Sequence, residues 1–333
     1  MNLAFSFIIP VYNRPQEIKE LLESFSVLEF PHPYEIVIVE DGSTETSKEI
    51  AESFKPELNI SYFYKENSGP GASRNFGMMK ATGNYFVILD SDVLLPPHYL
   101  DTVVAFLEKD YHHCYGGADA AHESFNSLQK AINYVMTSFL TTGGIRGSKK
   151  QVSKFEPRSF NMGISKEAFQ STGGFAKIHP GEDPDLSRRI QKAGYNTTFV
   201  PNAYVYHKRR ISWSKFYRQV KKFGLVRPIL SKWHPKSIKI TFWFPTAFIL
   251  FVIATIALSF ALDWRFCLPL ASYLTIIFLD ATFRNKSLTI GFLSLLAVFV
   301  QFFGYGLAFL KSTFYIRLLN KDPEKQFPQL FFE

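Results

Sequence analysis

Two carboxylates separated by one residue, Asp90 and Asp92, follow the short apolar run Tyr85–Leu89. The run is rich in aromatic and branched residues, which is typical of a buried strand. In open parallel α/β sheets, ligands bind outside the carboxyl ends of the strands. The pair therefore offers hard oxygen ligands to Mg²⁺ or Mn²⁺, and such a cation can hold a diphosphate. The alternative is that Asp92 only caps a helix begun by Pro96 and Pro97.

The segment before these acids alternates between strand and helix patterns. Asn13 and Pro15 suit the start of a helix, and apolar residues then recur at helical spacing as far as Leu28. Another helix is predicted over Gly71–Ala81. Strands separated by helices favour parallel βαβ units, so the predicted fold class is α/β. The predicted strands are Ala4–Ile9, Tyr34–Val39, Ile60–Tyr64 and Tyr85–Leu89.

Polar side chains follow each predicted strand, in the turns that a parallel sheet gathers at one edge. Pro10 and Tyr12 come after the first strand, and Asp41 comes after the second. They predict a mononucleotide site, with Tyr12 against the base and Asp41 accepting a base N–H. Arg74, soon after the third strand, would pair with the phosphates because a guanidinium fork matches phosphate oxygens. A surface salt bridge is the alternative for Arg74.

The order and spacing of these motifs resemble those of family 2 glycosyltransferases. The similarity covers about Leu3 to Gly224 and includes His207. Glu40 departs from the family, which usually has Asp there, whereas the second acid, Asp41, is present. The resemblance implies the GT-A fold, a nucleotide-sugar donor and inversion at the anomeric carbon. The motifs are Ile8-Ile9-Pro10-Val11-Tyr12-Asn13, Glu40-Asp41-Gly42-Ser43-Thr44, Arg74-Asn75-x-Gly77, Asp90-Ser91-Asp92, Gly173-Gly174-Phe175 and Gly181-Glu182-Asp183-Pro184-Asp185-Leu186.

The resemblance also implies roles on the donor side of the site. Asn161 lies in a predicted strand, Arg158–Ile164, that resembles the family strand beside the donor sugar. Asp90 and Asp92 would bind Mg²⁺ or Mn²⁺, and His207 can join the metal because imidazole suits Mn²⁺. The alternative is that His207 is structural or exposed. The residues implied in donor binding are Pro10, Tyr12, Asp41, Arg74, Asp90 and Asn161.

Three acids, Glu182, Asp183 and Asp185, begin a predicted helix over 182–193. Acids in a first turn complement the helix dipole, which is the structural interpretation. The resemblance implies that Asp183 is the general base, and we prefer it to Asp185. In an inverting transfer, one carboxylate takes the proton of the acceptor hydroxyl as that oxygen attacks the face opposite the diphosphate. The metal would then stabilise the departing diphosphate.

The last third of the chain is apolar and is predicted to enter a membrane. Ile240–Leu262 and Leu288–Leu310 carry no charge and are long enough to span it. A stretch at about 266–283 spans only if Asp280 is tolerated. Residues 208–239 are dense in Lys and Arg, so the positive-inside rule places that side in the cytoplasm. The net charge of +8 is thereby explained without nucleic acid.

The flanks of these spans leave two questions open. An amphipathic helix predicted at about 211–226 suits a membrane interface, with packing on the catalytic domain as the alternative. Its Gln219-Val220-Lys221-Lys222-Phe223 stretch faintly resembles a motif of processive polysaccharide synthases, but Lys and Phe replace Arg and Trp. Three spans would also place the basic tail, 311–333, on the far side, against the positive-inside rule.

The sequence therefore predicts a GT-A-like catalytic domain over 1–239, an anchor over 240–310 and a tail over 311–333. The domain would lie on the cytoplasmic face of a bacterial inner membrane. The expected reaction transfers one sugar, with inversion, from a nucleotide-sugar such as a UDP-sugar to a lipid-linked or membrane-proximal glycan hydroxyl. The alternatives are a processive polysaccharide synthase and a membrane-anchored nucleotide-sugar-binding or scaffold protein. The acids argue against the last, because binding alone needs no base.

Overall fold

The computed structural model describes residues 3–120, 125–143, 155–207 and 212–332, without the side chains of Asp119 and His207. The strands are β1 Phe5–Val11, β2 Glu35–Asp41, β3 Ile60–Lys65, β4 Tyr85–Leu89, β5 Val93–Leu94, β6 Cys114–Ala120, β7 Asn161–Ser165 and β8 Thr197–His207. The helices are α1 Pro15–Ser26, α2 Lys48–Phe54, α3 Gly69–Lys80, α4 Tyr99–Lys109, α5 Ser127–Thr137, α6 Phe139–Thr142, α7 Lys166–Thr172, α8 Glu182–Lys192, α9 Trp213–Trp233, α10 Phe244–Ala261, α11 Leu268–Asn285, α12 Leu288–Ser312 and α13 Pro323–Gln326.

The eight strands form one mixed sheet in the order β3-β2-β1-β4-β7-β6-β8-β5. The strands β1 to β4 run parallel, as predicted. The direction changes at β7, which is antiparallel to β4. The helix-capping alternative for Asp92 is wrong, because β5 follows that residue directly and α4 begins only at Tyr99. The carboxyl ends of β1, β2 and β4 therefore share one edge, where the predicted polar turns lie.

Alternate residues of β1 pack into two cores, one on each face of the sheet. Phe7 and Ile9 belong to the core that contains Leu21 of α1. Ile8 belongs to the core that contains Met78 of α3 and residues of α7 and α8. Burial on both faces explains why the parallel strands read as nearly continuous apolar runs.

Helix α3 lies very close to the sheet at Gly77. A Cβ atom on Gly77 would lie 2.6 Å from Ile8 Cγ2 and 3.2 Å from Val39 Cγ2. A larger residue would meet the buried side chains of two strands, so glycine permits this close packing. The packing also fixes Arg74, which lies one turn earlier on the same helix.

The chain divides into two compact units. One comprises Met1–His122, Val152–Lys208 and Phe331–Glu333, and the other comprises Glu123–Gln151 and Arg209–Leu330. The first unit contains the whole sheet, and the second contains α5, α6 and α9–α13. This division differs from a boundary at 239 because α9 packs along α12 inside the second unit.

Three helices of the second unit are long and apolar enough to cross a membrane: Ile240–Ala261, Trp264–Asn285 and Leu288–Leu318. The middle helix contains Asp280. Its carboxylate accepts hydrogen bonds from Tyr134 Oη at 2.7 Å and from Arg284 Nε at 2.8 Å. The acid is therefore paired within the unit, as an acid inside an apolar helix requires.

Candidate active site

Asp90 and Asp92 lie where the chain leaves β4, and each is paired with an arginine. Asp90 Oδ1 accepts a hydrogen bond from Arg74 Nη2 at 2.8 Å. Asp92 Oδ2 accepts one from Arg14 Nη1, in the turn after β1, at 2.6 Å. The predicted meeting of these polar turns at one edge of the sheet is confirmed.

Arg74 is a buried residue that joins acids from two distant parts of the chain. It is 4% exposed, so the surface salt-bridge alternative is wrong. Besides Asp90, its guanidinium contacts Glu182 Oε1 at 3.3 Å and lies over the ring of Phe175, 5.3 Å from the centroid. Burial opposes the charge, but Asp90, Glu182 and Asp183 outweigh it and raise the pKa of Arg74. The site therefore has a permanent cation beside the Asp-x-Asp turn.

Glu182, the first residue of α8, is a fixed negative charge. Its Oε1 also accepts a hydrogen bond from His179 Nδ1 at 2.8 Å. Burial opposes ionisation of Glu182, but the His179 hydrogen bond and the charges of His179 and Arg74 outweigh it. They lower the pKa of Glu182 to about 2. The local sequence pattern does not single out His179, because its hydrogen bond to Glu182 is seen only once the loop between them is folded.

Asp183, the next residue, has a carboxylate oxygen that is shielded from solvent. Its Oδ1 has no hydrogen-bond partner among the residues that the structure describes. Burial, followed by the charge of Glu182, raises the pKa of Asp183 from an ordinary 3.8 to about 6, although Arg74 and Arg158 act in the opposite direction. A carboxylate with a raised pKa is a stronger base than an ordinary one, which suits proton transfer near neutral pH.

Asp185 makes structural contacts instead. It is 4% exposed and pairs with Arg189 at 2.7 Å. Other donors of Arg189 reach the carbonyl oxygens of Thr172 and Gly174 at 2.6 Å each. These contacts tie α8 to the end of α7. The arrangement favours Asp183 over Asp185 as the candidate base.

Asp41 ends β2 as a buried carboxylate held by several donors. Its Oδ1 accepts from Lys65 Nζ and from Ser68 N at 3.0 Å, and its Oδ2 accepts from Gly69 N at 3.0 Å. Lys65 is the parallel partner of Asp41 on β3. The sequence pattern does not single out Lys65, although the register of two adjacent predicted strands would have brought it to Asp41.

The neighbouring turn residues differ in exposure. Tyr12 is 52% exposed in the turn after β1, and Pro10 is half-buried within that strand. Glu40 is fully buried, and its carboxylate accepts from the hydroxyl groups of Ser43, Ser47 and Tyr62. Glu40 therefore shapes the turn after β2, while Tyr12 is the residue with a free surface. Contact of Tyr12 and Asp41 with a base stays a prediction.

Asn161 and His207, both expected in the donor site, lie in different parts of the sheet. Asn161 is fully buried, and its side chain accepts from Tyr99 Oη at 2.6 Å and donates to Ala203 O at 2.9 Å and Ala118 O at 3.3 Å. It offers no exposed atom to a donor sugar in this structure, because its amide joins neighbouring strands. The backbone of His207 pairs with Val93, beside the Asp-x-Asp turn. The side chain of His207 lies outside the described residues, so its metal role stays a prediction.

The Asp90 and Asp92 pair fits a hard divalent cation by its chemistry. It supplies two carboxylates on one turn, at the carboxyl end of a strand of the sheet. In the described ranges, no group of three or more His, Cys, Asp or Glu side chains gathers to form a closed site. A cation held here would take further ligands from water and a diphosphate, as Mg²⁺ commonly does.

The comparisons with known proteins confirm the predicted fold. Residues 6–173 match the family model described as Glycosyl transferase family 2. A mannosyltransferase from Pyrobaculum calidifontis, PcManGT, solved in complex with GDP-Man and Mn²⁺, has a TM-score of 0.65 at 17% identity. The match covers 91% of this chain and 88% of that one. At this identity the likeness shows the fold, which is GT-A.

Curated relatives share parts of the sequence. An uncharacterized glycosyltransferase of Rickettsia felis is 34% identical over 136 residues, 41% of this chain and 22% of that protein. TarS of Staphylococcus aureus, a poly(ribitol-phosphate) β-N-acetylglucosaminyltransferase, is 35% identical over 114 residues, 33% of this chain and 20% of TarS. AglE of Haloferax volcanii is 26% identical over 217 residues, 62% of this chain and 67% of AglE. The chain thus spans only about a fifth of the Rickettsia and Staphylococcus proteins. With the family model matched over half of its length, the chain belongs to glycosyl transferase family 2.

Proposed function

We propose that this glycosyltransferase moves one sugar, with inversion, from a nucleotide-sugar to a hydroxyl acceptor held at a membrane. The observation that carries the proposal is Asp183. Its shielded Oδ1 lacks a hydrogen-bond partner within the described part of the chain, and its pKa is raised to about 6. Arg74, which opposes that shift, also binds Asp90. A protein that only bound nucleotide-sugars would need no such base.

In the proposed reaction, Asp183 accepts the proton of the acceptor hydroxyl as that oxygen attacks the anomeric carbon. A new C–O bond forms on one face of the sugar, and the bond to the diphosphate breaks on the other. The nucleoside diphosphate leaves with the electron pair of the broken bond. Arg74 is buried and cationic, so it stabilises negative charge that builds up on the leaving group.

The donor site uses the turns after β1, β2 and β4. Tyr12 would cover the base, Asp41 would accept its N–H, and Pro10 would shape the turn beneath. Asp90 and Asp92, with His207, would hold Mg²⁺ or Mn²⁺, which when bound would neutralise diphosphate charge. Asn161 would act from within the sheet, by fixing strands beside the sugar.

A UDP-sugar is the donor we propose first. The name of TarS describes transfer of N-acetylglucosamine, and PcManGT was solved with GDP-Man and Mn²⁺. UDP-N-acetylglucosamine and GDP-mannose are therefore the two donors to compare at the start. The PcManGT complex also supports a divalent cation in the proposed site.

The acceptor we propose is a lipid-linked or membrane-proximal glycan. Three helices of this chain are long and apolar enough to cross a membrane, which would keep the enzyme beside such an acceptor. The Lys- and Arg-rich stretch at 208–239 precedes the first of them, so we place the catalytic unit on the cytoplasmic face of a bacterial inner membrane.

A donor screen on full-length protein in detergent tests the proposal. Nucleotide release would be measured for a panel of UDP- and GDP-sugars, with Mn²⁺ and a bacterial lipid extract as acceptor. We expect one donor to be turned over, with loss of activity in EDTA and in Asp92→Ala. Nuclear magnetic resonance of the product should show one added sugar with inverted anomeric configuration.

The other outcomes of this screen are informative. Long polymeric products would favour a processive synthase, and retained configuration would contradict inversion. Donor binding without turnover for the whole panel would favour a nucleotide-sugar-binding protein. Full activity in EDTA would rule out the metal site.

A further inference from the structure

A two-residue segment, Phe331–Phe332, packs on the first unit beside the candidate active site. Phe331 pairs with Ile178 in an isolated antiparallel bridge. The Phe332 N–H donates to Lys177 O at 3.1 Å, and the Phe332 ring centroid lies 6.0 Å from that of His179. The segment therefore holds the loop that leads into α8.

The ring of Phe332 also rests on the start of α3. A Cβ atom on Gly69 would lie only 2.3 to 2.7 Å from three carbons of this ring. Gly69 is buried and has a φ of +86°, a conformation that favours glycine. Phe332 thus touches two separate segments at once: the first residue of α3 and the loop at 177–179.

These two segments carry the two halves of the buried ion pair. Arg74 follows Gly69 on α3, and Glu182 follows His179, which is hydrogen-bonded to it at 2.8 Å. Arg74 and Glu182 meet at 3.3 Å. The spacing between the α3 start and the loop therefore sets how Arg74 and Glu182 meet, and Asp183 is the residue next to Glu182.

We propose that Phe332 is a positioning residue, which clamps Gly69 to the 177–179 loop and so sets the geometry of Arg74, Glu182 and Asp183. This inference rests on the proposed function of Asp183.

The 177–179 loop depends on Phe332 more than the predicted nucleotide site around Asp41 does. Asn75 holds the near end of the loop through two hydrogen bonds of 2.8 Å to the backbone of Phe175. Beyond it, Lys177 is exposed and its carbonyl is bonded to Phe332. Asp41, in contrast, keeps its bonds from Lys65 Nζ and Ser68 N when the ring is removed, and only its bond from Gly69 N lies beside the ring. Loss of the ring should therefore affect turnover much more than nucleotide affinity.

The test compares full-length Phe332→Ala, Phe332→Leu and a control, Met79→Ala. Met79 is a matched control because it lies on α3 and is 66% exposed. Hydrogen exchange over 177–183, UMP affinity, and kcat and KM with the donor found in the screen would be measured. In Phe332→Ala we expect faster exchange and a kcat lower by about tenfold or more, with UMP affinity and KM within about twofold. Phe332→Leu should restore most of the kcat, because leucine still covers Gly69.

The results separate a clamp from a merely stabilising contact. A lower melting temperature with unchanged exchange and unchanged kcat in Phe332→Ala would overturn the proposal. If wild-type protein turns over no donor, the proposed function fails. The exchange measurement then decides the clamp alone: faster exchange over 177–183, reversed by leucine, supports it, and no change refutes it.

Discussion

At the scale of single residues, the three acids that begin α8 have different surroundings because their partners differ. Glu182 is stabilised by His179 and Arg74, Asp185 by Arg189, and Asp183 keeps a shielded oxygen. The cluster itself is visible in the sequence. The different contacts of its three acids are not visible there, since the Arg74–Glu182 contact joins residues 108 positions apart. Asn161 is a similar case, because its burial follows from strand pairing that no local pattern contains.

The first prediction concerns Asp183→Asn. This change keeps the shape of the side chain but removes the base, so donor binding should persist while transfer falls by about 100-fold or more. Binding by titration calorimetry and transfer by product release would be measured together. Asp185→Asn is the comparison variant, and it should lose stability rather than chemistry. An active Asp183→Asn together with an inactive Asp185→Asn would show that Asp185, and not Asp183, is the base.

The second prediction concerns pH. Because the pKa of Asp183 is about 6, transfer should rise about tenfold per pH unit below 6 and level off above it. The contribution of Asp183 to the free energy of unfolding should instead fall as the pH rises. A raised folded pKa gives a contribution that is present below the ordinary 3.8 and is lost as pH rises through about 6. Melting temperatures of wild type and Asp183→Asn across this window check the sign: wild type alone should show the decline.

At the scale of elements, the first half of the sheet follows from local patterns, and the second half does not. Each of the first four predicted strands ends within two residues of the observed one, since short apolar runs bounded by polar turns specify them. The antiparallel pairing of β4 with β7 and the place of β5 beside β8 depend on long-range register. Local periodicity carries no information about either.

The third prediction tests the packing of α3. Gly77→Ala places a methyl group 2.6 Å from Ile8 Cγ2, so α3 or the strand must shift. We expect a loss of about 1–3 kcal/mol in the free energy of unfolding, together with weaker transfer because Arg74 moves with its helix. Met79→Ala, on the exposed side of the same helix, should do neither. Denaturant unfolding and the transfer assay would show both effects, and a Gly77→Ala variant with wild-type stability would contradict the packing argument.

At the scale of the whole molecule, the second unit is more than three separate apolar helices. Helix α9 packs closely along α12: a Cβ atom on Gly224 would lie 2.3 Å from Tyr305 O. The apolar side of α9, with Phe216 and Val220, lies in the same core as residues of α10 and α12. The amphipathic pattern of α9 is therefore explained by helix packing, and its contact with a membrane interface stays a prediction.

The fourth prediction follows from the apolar helices. The full chain should remain in the membrane pellet after high salt and after carbonate at high pH, and detergent should release it, because the three helices would be held by hydrocarbon rather than by charge. Immunoblots of the fractions would show this. Recovery of the protein in the carbonate supernatant would show that the three helices do not anchor it. The argument for a membrane-held acceptor would then fail as well.

The unequal lengths of these helices have a mechanical consequence. The helices Ile240–Ala261 and Trp264–Asn285 have 22 residues each, whereas Leu288–Leu318, which continues α12, has 31. At a rise of about 1.5 Å per residue they are about 33 Å and 46 Å long, against a hydrocarbon thickness of about 30 Å. If all three crossed one bilayer, they could not all match its thickness at the same inclination, so α12 would lean further or extend its last turn, with Lys311, into the headgroups. Reconstitution in lipids of graded chain length should therefore reveal one preferred bilayer thickness, visible as a maximum in thermal stability.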